Sequence, residues 1–426
     1  MKSEIAGFYK LSIEERRNKI AEITGIVADE EGGFSESLNV EMADQMVENV
    51  VGVMGVPLGI CTYLRVNGKD RLVPMAIEES SVIAAASNAA KLLRGGKGII
   101  AETTKPIMIG QIQLMDVPDM ELARSVILEA KEELLQQGAT YTKLLVELGG
   151  GPVDIEVREL PSFGGDDPLG SMLIVHILVD VRDAMGANTV NTICEGLSSR
   201  LVELSGGRAR LRILSNLADK RLVTVKGKVP FEAFCKKGQS LSFGEETAKG
   251  IEEASVFAER DPYRAATHNK GIMNGIDAVL MATGQDYRAV EAGVHAYASR
   301  SGRYTSLSKW RVQEGFLYGE LSVPMALGIV GGITRIHPTV KQSFNILNLQ
   351  YAHELAEITA SVGLAQNLAA LRALAMEGIQ QGHMRLHARN IAIEAGASGE
   401  LITIISEKMI ASKQVNHEKA RELLNK

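Results

Sequence analysis

The chain has 426 residues, of which 45% are hydrophobic and 23% are charged, and its net charge at pH 7 is −6. These values predict a soluble globular protein of two or three domains, and the acidic balance argues against nucleic acid as the main partner. The three cysteines are too widely spaced for a disulfide framework or a CxxC metal site. Without a signal-peptide pattern or an apolar run of roughly 20 residues, we expect a cytoplasmic protein and no membrane partner.

The first hundred residues predict short helices and then a β-hairpin. Ser12 opens a capping-box pattern. Residues 58–73 alternate in polarity and carry Asn67-Gly68, the strongest short hairpin signal. The glycine-rich run 94–98 resembles a phosphate loop but lacks its spacing, so we interpret it as a helix C-cap.

An acidic corner, Glu78-Glu79-Ser80-Ser81, comes before an alanine-rich helix. Acids there favour the helix dipole, and Ser80 or Ser81 is placed to cap the helix. Because adjacent residues point in different directions, one of the two glutamates is also able to face a cleft.

Residues 107–215 alternate strand-like and helix-like segments. The predicted strands are 107–115, 144–148, 153–160, 172–181 and 208–214, and the predicted helices are 120–137 and 188–204. This order indicates a small split βαβ, ferredoxin-like domain, with 208–212 as an edge strand.

The run Asp183-Ala-Met-Gly-Ala-Asn188 joins a strand to a helix within this unit. Small residues at such a turn let backbone amides and the helix dipole meet a phosphate. A tight connection without a ligand is the alternative. No GxGxxG occurs, so an ordinary dinucleotide fold is not predicted.

The segment 264–286 concentrates polar groups among glycines and apolar residues. Arg264, Lys270, Asn274 and Asp286 supply a guanidinium, an ammonium, an amide and a carboxylate. An ammonium held by a carboxylate stabilises negative charge on a substrate oxygen, so Lys270 with Asp286 is a candidate pair. A structural salt bridge is the alternative.

The C-terminal third predicts a hairpin turned at Glu314-Gly315, a close packing point at 328–332, and a long helix over 352–380. Gln366 and Asn367 lie on this helix, where they are able to reach a ligand or to satisfy nearby backbone. His383 and His387 have the spacing of a metal pair, but no glutamate lies between them, and no metal site is predicted. We interpret His383 as an acid that closes over substrate.

Seven motifs, in order and nearly end to end, resemble those of class II 3-hydroxy-3-methylglutaryl-coenzyme A (HMG-CoA) reductases. They are Glu48-Asn-Val-Val-Gly52, Glu78-Glu-Ser-Ser81, Asp183-Ala-Met-Gly-Ala-Asn188, Asp261-Pro-Tyr-Arg-Ala-Ala-Thr-His-Asn-Lys270, Ala282-Thr-Gly-Gln-Asp286, Gly363-Leu-Ala-Gln-Asn367 and Gly382-His-Met384.

The resemblance implies an α+β fold in which a large mixed domain, 1–106 and 216–375, is interrupted by a small ferredoxin-like cofactor domain, 107–215. A helical C-terminal flap, 376–426, follows. It also implies a homodimer, or a higher oligomer built from it, whose active sites are shared between subunits with 48–52 at the interface.

The implied reaction is the four-electron reduction of HMG-CoA to mevalonate and CoA by two reduced nicotinamides, without a metal. By this resemblance, Lys270 stabilises the oxyanion, Glu79 supplies the proton to the carbonyl oxygen, and Asp286 lies between them. His383 protonates the departing CoA thiolate.

Further positions follow from the same resemblance. Ser81, Arg264 and Asn274 would surround the substrate carboxylate and the lysine, while Gln366 and Asn367 would lie along the CoA arm. The dinucleotide would be held by Asp183, Met185, Gly186, Ala187 and Asn188.

Two departures from the family pattern stand out. Ser80 occupies a position where proline is common. Thr142 stands seven residues before Gly149, where NADH-preferring relatives often have an aspartate that would repel a 2′-phosphate. The cofactor prediction therefore leans to NADPH over NADH. Two other functions remain open: a CoA-ligand-binding homologue without turnover, and a dehydrogenase for a small hydroxy acid.

Overall fold

The computed structural model describes residues 2–26, 37–165, 167, 169–376, 388–412 and 414–425. The elements of the N-terminal half are α1 (Ile13–Thr24), α2 (Val40–Met46), β1 (Leu58–Val66), β2 (Lys69–Ala76), α3 (Val82–Arg94), β3 (Ile99–Thr103), β4 (Ile107–Met115), α4 (Met120–Glu129), α5 (Lys131–Thr140), α6 (Lys143–Glu147), β5 (Gly151–Leu160), β6 (Met172–Asp180), α7 (Ala187–Ser205) and β7 (Arg208–Leu214).

The C-terminal half continues with β8 (Leu222–Pro230), α8 (Leu241–Arg260), α9 (Pro262–Ala282), α10 (Tyr287–Ala298), β9 (Ser308–Gln313), β10 (Phe316–Pro324), α11 (Pro338–Leu347) and α12 (Ala352–Met376). Residues 388–394 are helical and are called α13; α14 (Glu400–Ala411) and α15 (His417–Leu424) follow. None of the helices in these ranges is long and apolar enough to cross a bilayer.

The larger sheet has the strand order β2-β1-β3-β8-β10-β9. Its hairpins turn at Asn67-Gly68 and Glu314-Gly315, and both residues of each turn have positive φ, as type I′ turns require. Helices α3, α8, α9 and α12 pack together against this sheet and share one hydrophobic core with it. The two predicted hairpins are therefore confirmed.

A glycine on β10 lets a large aromatic ring lie in this core. Gly227 and Gly319 are cross-strand partners on β8 and β10, and Gly319 is also paired with Trp310 on β9. A Cβ on Gly319 would lie 2.3 Å from the Trp310 ring, so only glycine fits there. Trp310 is thereby fully buried and reaches α12 with its ring nitrogen.

The smaller sheet has the order β5-β6-β4-β7, with every neighbouring pair antiparallel. Inserted between β3 and β8, its βαββαβ connectivity is that of a ferredoxin-like fold. It has its own core beneath α4, α5 and α7, and β7 is an edge strand as predicted.

The fold class is confirmed as mixed α+β, with two element predictions wrong. Residues 144–148 fall mostly in helix α6 rather than in a strand, and the predicted helix 120–137 is two helices that break at Ala130. The domain boundaries at 106, 215 and 375 remain a prediction. Of the predicted flap, α13, α14 and α15 enclose a small apolar cluster.

Candidate active site

Three side chains named from the sequence meet at the start of α3. Lys270 Nζ donates to Glu79 Oε2 at 2.8 Å, and Asn274 Nδ2 donates to the same oxygen at 3.3 Å. Lys270 and Asn274 are one turn apart on α9 and so share a face of the helix. The side chains of Lys270 and Glu79 are 60% and 39% exposed, so the pair is open to a substrate.

Ser81 stands beside this pair in a strained conformation. It is the N-cap residue of α3, with φ 75°, but its hydroxyl makes no capping hydrogen bond. The prediction that a serine side chain caps this helix is therefore wrong. A non-glycine residue held at positive φ stores strain, and such residues cluster at ligand sites; the hydroxyl is free of the helix end.

Asp286 does not pair with Lys270 within the chain. Its Oδ1 accepts a hydrogen bond from Ala289 N at 3.0 Å and so caps α10. The continuous helix α9 carries the chain about 18 Å from Lys270 to Ala282. This separation explains why the expected pair is absent and why Lys270 uses Glu79.

Arg264 is a cation without a counter-ion. It lies on α9 before Lys270 and is partly buried, and burial lowers the pKa of its guanidinium. Among the residues that the structure describes, no carboxylate forms an ion pair with it. Because an unpaired buried charge is costly, this position favours an anionic ligand.

The two residues before Lys270 are fixed in the core. Asn269 donates through Nδ2 to Thr305 O at 2.9 Å and accepts from Leu307 N at 3.1 Å. His268 Nε2 lies 2.7 Å from Ser308 Oγ. Burial and the charge of Arg264 lower the pKa of His268 to about 3, so the ring is neutral.

Asn367 belongs to this core network and not to an open ligand site. It is 1% exposed. Its Oδ1 accepts from Trp310 Nε1 at 2.7 Å and from Ser308 Oγ at 2.9 Å, and its Nδ2 lies 3.1 Å from His268 Nε2. The assignment of Asn367 to the CoA arm is therefore corrected: its amide satisfies buried side chains that hold α9 against α12.

Replacing Asn367 with alanine should destabilise the protein by about 3 kcal/mol, since it leaves a buried indole N–H unpaired and removes one partner of the Ser308 hydroxyl. The folded enzyme should keep its KM for the CoA ester. Urea unfolding with steady-state kinetics measures both values. The exposed helical Asn18 is the matched control, and Asn18→Ala should change neither. A raised KM with unchanged stability would restore the ligand role.

Gln366, the neighbour of Asn367, faces helix α9, which carries Lys270 and Asn274. A Cβ on Gly275 would lie 2.8 Å from Gln366 Cβ, which places this side chain next to the turn that carries Asn274. Its Oε1 is buried and has no hydrogen-bond partner. A buried amide oxygen without a donor is consistent with a ligand contact.

Two carboxyl groups form a pair about one turn beyond Asn274. Asp277 on α9 hydrogen-bonds with Glu291 on α10, and burial and this neighbour raise the pKa of Asp277 to about 8. Two carboxyl groups bond to each other only when one is protonated. Asp277 Oδ1 is buried and makes no hydrogen bond of its own. No sequence motif marks this pair, which joins α9 to α10.

The shared proton predicts a pH-dependent stability. The pKa of Asp277 rises from an ordinary 3.8 to about 8, so the folded state holds more protons than the unfolded chain between these pH values. Stability from this group is present at low pH and falls as the pH rises toward 8, by about tenfold in the unfolding constant per pH unit. Asp277→Asn should remove this slope, as seen by urea unfolding from pH 5 to 8.

The exposed Asp44 of α2 provides the control for this measurement. Asp44→Asn should leave the slope of stability against pH as in the wild type. Equal slopes in the wild type and in Asp277→Asn would contradict the shared proton.

The turn 183–186 is tied to the large sheet. Asp183 Oδ1 accepts from Ala352 N at 2.7 Å, at the start of α12. Arg221 is 7% exposed and donates to Ala184 O at 3.1 Å and Met185 O at 3.4 Å. A Cβ on Gly328 would lie 2.5 Å from Met185 N, so Gly328 is a close packing point as predicted, whereas Gly331 and Gly332 of the same run lie in open space.

The turn ends as the N-terminus of α7. Gly186 is the N-cap residue, with φ 98°, which glycine adopts readily. Ala187 and Asn188 open the helix. The first amides of α7 have no helical partners, so this end is suited to a phosphate. Thr142, the N-cap residue of α6, has a buried Oγ1 without a hydrogen-bond partner.

A cavity of about 1070 Å³ begins one turn after Ser81 and follows α3. Its walls come from the N-terminal segment 5–9, α3 and residues 233–236. Among the residues that the structure describes, four cations line it and no acid does; they are Arg16, Lys91, Lys236 and Arg372. These residues were not predicted from the sequence, because they are scattered from position 16 to position 372 and form no motif.

Two expectations concern residues or groups that need separate mention. His383 and His387 lie outside the described residues. Within the described ranges, no cluster of three or more His, Cys, Asp or Glu side chains is arranged to hold a metal ion.

Comparison with known proteins gives one family throughout. The family model for hydroxymethylglutaryl-coenzyme A reductase matches residues 12–388. The 3-hydroxy-3-methylglutaryl-coenzyme A reductase of Archaeoglobus fulgidus is 47% identical over all of this chain and 95% of its own length. A probable reductase from Borreliella burgdorferi is 35% identical, over 84% of this chain and 80% of its own length.

Solved structures give the same result. A reductase from Streptococcus pneumoniae superposes with a TM-score of 0.83 at 41% identity, covering 99% of both chains. A second structure, of the class II enzyme from that organism bound to NADPH, has a TM-score of 0.81 at 41% identity, over 97% of this chain and 99% of that one. The chain belongs to the hydroxymethylglutaryl-coenzyme A reductase family, and its resemblance to the class II enzymes is confirmed.

Proposed function

We propose that this chain reduces HMG-CoA to mevalonate and CoA. The reaction consumes two NAD(P)H and two protons and yields two NAD(P)⁺. The observation that carries this proposal is the Glu79–Lys270–Asn274 cluster, in which an ammonium and an amide converge on one carboxyl oxygen. Bound reduced nicotinamide supplies the hydride in each of the two reductions.

Lys270 is assigned the role of stabilising the developing oxyanion in both reductions. When hydride reaches the thioester carbon, the carbonyl π electrons move to oxygen, and the Lys270 ammonium stabilises that charge. Glu79 then passes a proton to the oxygen, which needs an acid within hydrogen-bond reach. The 2.8 Å contact between Glu79 and Lys270 supports the proposal that both groups act on one substrate oxygen.

Loss of CoA separates the two reductions. The C–S bond of the thiohemiacetal breaks, its hydroxyl proton leaves and an aldehyde forms, while the thiolate takes a proton. By family resemblance we assign that last proton to His383 of the flap, 376–426. The aldehyde is then reduced at the same Lys270 and Glu79, which gives the alcohol of mevalonate.

The free carboxylate of the substrate is assigned to Arg264 and its neighbours. Arg264 is a partly buried cation without an ion pair, and a guanidinium bonds both oxygens of a carboxylate. Ser81, with its uncommitted hydroxyl, and Asn274 complete this group. Gln366 is retained as a substrate contact because its Oε1 is buried and unpartnered.

The CoA arm is assigned to the cavity along α3. The helix advances about 15 Å from Ser81 to Lys91, away from the catalytic pair. The described wall of this cavity carries four cations and no acid. This charge matches the phosphates of CoA, since opposite charge favours the bound anion. This assignment replaces the earlier placement of the arm at Asn367.

The dinucleotide is assigned to the small domain, 107–215, at the turn 183–188. The amides at the start of α7 suit its pyrophosphate. Thr142 carries no charge that would repel a 2′-phosphate, and Lys143 follows it. The class II reductase of S. pneumoniae was solved with NADPH. These observations support NADPH as the preferred cofactor over NADH.

Thr142→Asp should reverse this preference. A carboxylate repels the 2′-phosphate and accepts bonds from ribose hydroxyls, so the ratio of kcat/KM for NADPH to that for NADH should fall by at least about tenfold. Steady-state kinetics with both cofactors measures it. Glu147→Gln, at an exposed site on the same helix, is the control, and an unchanged ratio in Thr142→Asp would contradict the assignment.

The active sites are proposed to be shared within a homodimer, with the segment 47–54 at its interface. This segment exposes Val47 at 59%, Val51 at 101% and Met54 at 89%, and exposed apolar patches mark interaction sites. Asp286 makes no ion pair with Lys270 within one chain, so its role on Lys270 is assigned across the interface.

Mixed dimers test that arrangement. Lys270→Ala and Asp286→Ala subunits, each inactive alone, should regain activity when unfolded together and refolded, because one site of each mixed dimer would have both groups. If the refolded mixture sediments as dimers but shows no activity, the proposal that Lys270 and Asp286 act across the interface is overturned.

A homologue that binds HMG-CoA without turnover is the second candidate function. The test is mass spectrometry of the products after the purified protein is incubated with HMG-CoA and NADPH. Mevalonate is expected. HMG-CoA binding by calorimetry without any mevalonate would favour the binding function.

A further inference from the structure

A second cavity lies where the two sheets approach each other, and the proposed reaction does not account for part of its wall. It has a volume of about 570 Å³. On the side of the small sheet it is lined by Leu145 and Leu148 of the α6 region and by Val181 and Arg182. On the other side it is lined by Tyr351 and His353 at the start of α12.

Tyr351 and His353 form a stacked aromatic pair on that side. Their ring centroids are 5.3 Å apart and their planes differ by 11°. Tyr351 is 52% exposed, although burial of an aromatic ring would stabilise the protein more than exposure does. The pair therefore presents a flat aromatic surface across the cavity from an apolar wall.

The position of this surface identifies the part of a dinucleotide that fits it. Leu145 lies one turn after Thr142 on α6, and Thr142 is assigned to the adenosine ribose. Asp183 bonds to Ala352 N at 2.7 Å, so the turn assigned to the pyrophosphate adjoins the same end of α12. An adenine base attached to that ribose would lie in the cavity that Leu145, Leu148 and Tyr351 line.

We propose that Tyr351, supported by His353, is the stacking surface for the adenine ring of the nicotinamide dinucleotide. The proposal rests on the proposed function for the position of the ribose and pyrophosphate. Tyr351 is thus a binding residue for the cofactor, remote from the reacting atoms. Arg182 lines the same cavity with a 46% exposed side chain, and its guanidinium lies 3.5 Å from Asp180.

Calorimetric titration with adenosine 2′,5′-bisphosphate tests the stacking surface without any chemistry. Removing an aromatic ring from under a base weakens binding measurably. Tyr351→Ala should raise the Kd for the bisphosphate and the KM for NADPH by about tenfold. Its kcat at saturating NADPH and its Kd for HMG-CoA should match the wild type. Tyr351→Phe should keep wild-type binding, because the ring is retained.

Tyr318→Ala, on the outer side of the large sheet, is the control and should change none of these values. Bisphosphate binding that is absent in the wild type, or equal in wild type and Tyr351→Ala, would overturn the stacking surface. Bisphosphate binding that depends on Tyr351, in a protein that never oxidises NADPH, would support the surface and overturn the proposed reaction.

Discussion

Replacing Lys270 with alanine is expected to lower kcat by at least about 10²–10³-fold, the usual effect of removing an oxyanion donor. Lys270 Nζ donates a hydrogen bond to Glu79 Oε2 at 2.8 Å. Among the described residues, no other cation bonds to that oxygen. The KM for HMG-CoA should change little, since the oxyanion exists only after hydride transfer. Steady-state kinetics at saturating NADPH gives both values.

A similar ion pair elsewhere provides the control. Lys226 lies 3.3 Å from Glu320 on the outer side of the large sheet, and their side chains are 62% and 51% exposed. Lys226→Ala removes the same charge from the protein surface and should leave kcat unchanged. A Lys270→Ala enzyme with more than about a tenth of wild-type kcat would contradict the oxyanion role.

Glu79→Gln has the second largest expected effect. Glutamine keeps the shape and an acceptor for Lys270 but cannot deliver a proton, and general acid catalysis contributes about 10²–10⁴-fold. We therefore expect kcat to fall in that range while HMG-CoA still binds, as measured by steady-state kinetics and calorimetry.

The adjacent Glu78 is the matched control, since it is exposed and the catalytic contacts involve Glu79. Glu78→Gln should retain wild-type kcat. Equal losses in the two variants would indicate an effect of net charge and would contradict a specific proton donor at Glu79.

Local chemistry explains which parts of the fold were predictable. Asn67-Gly68 and Glu314-Gly315 require positive φ, and that requirement alone places two hairpins. The alternation of strands and helices over 107–214 indicates the ferredoxin-like sheet, because one helical connection after the first strand and another before the last strand are typical of the split βαβ arrangement. Family motifs, rather than composition, named Lys270, Asn274 and Glu79 as candidate site residues, and the structure brings these three side chains together.

The wrong predictions depended on tertiary context. The apolar run 144–148 reads as a strand, but most of it forms α6 after the Thr142 turn, and short apolar runs do not distinguish the two structures. Asn367 was predicted to contact a ligand. The sequence does not show that its amide oxygen accepts the hydrogen bond of the buried Trp310 ring nitrogen. Lys270 and Asp286 are close in sequence, but the continuous helix α9 separates them within one chain, so the pairing proposed for them needs a second subunit.

The most direct test of the central claim is the ratio of nicotinamide oxidised to thiol released with HMG-CoA as the substrate. Absorbance of NADPH and a thiol reagent are followed on the same reaction, with mevalonate measured at the end. Two NADPH oxidised per CoA released would establish the four-electron reduction at this site. One NADPH per CoA, with free aldehyde as the product, or no oxidation while HMG-CoA is bound, would contradict it.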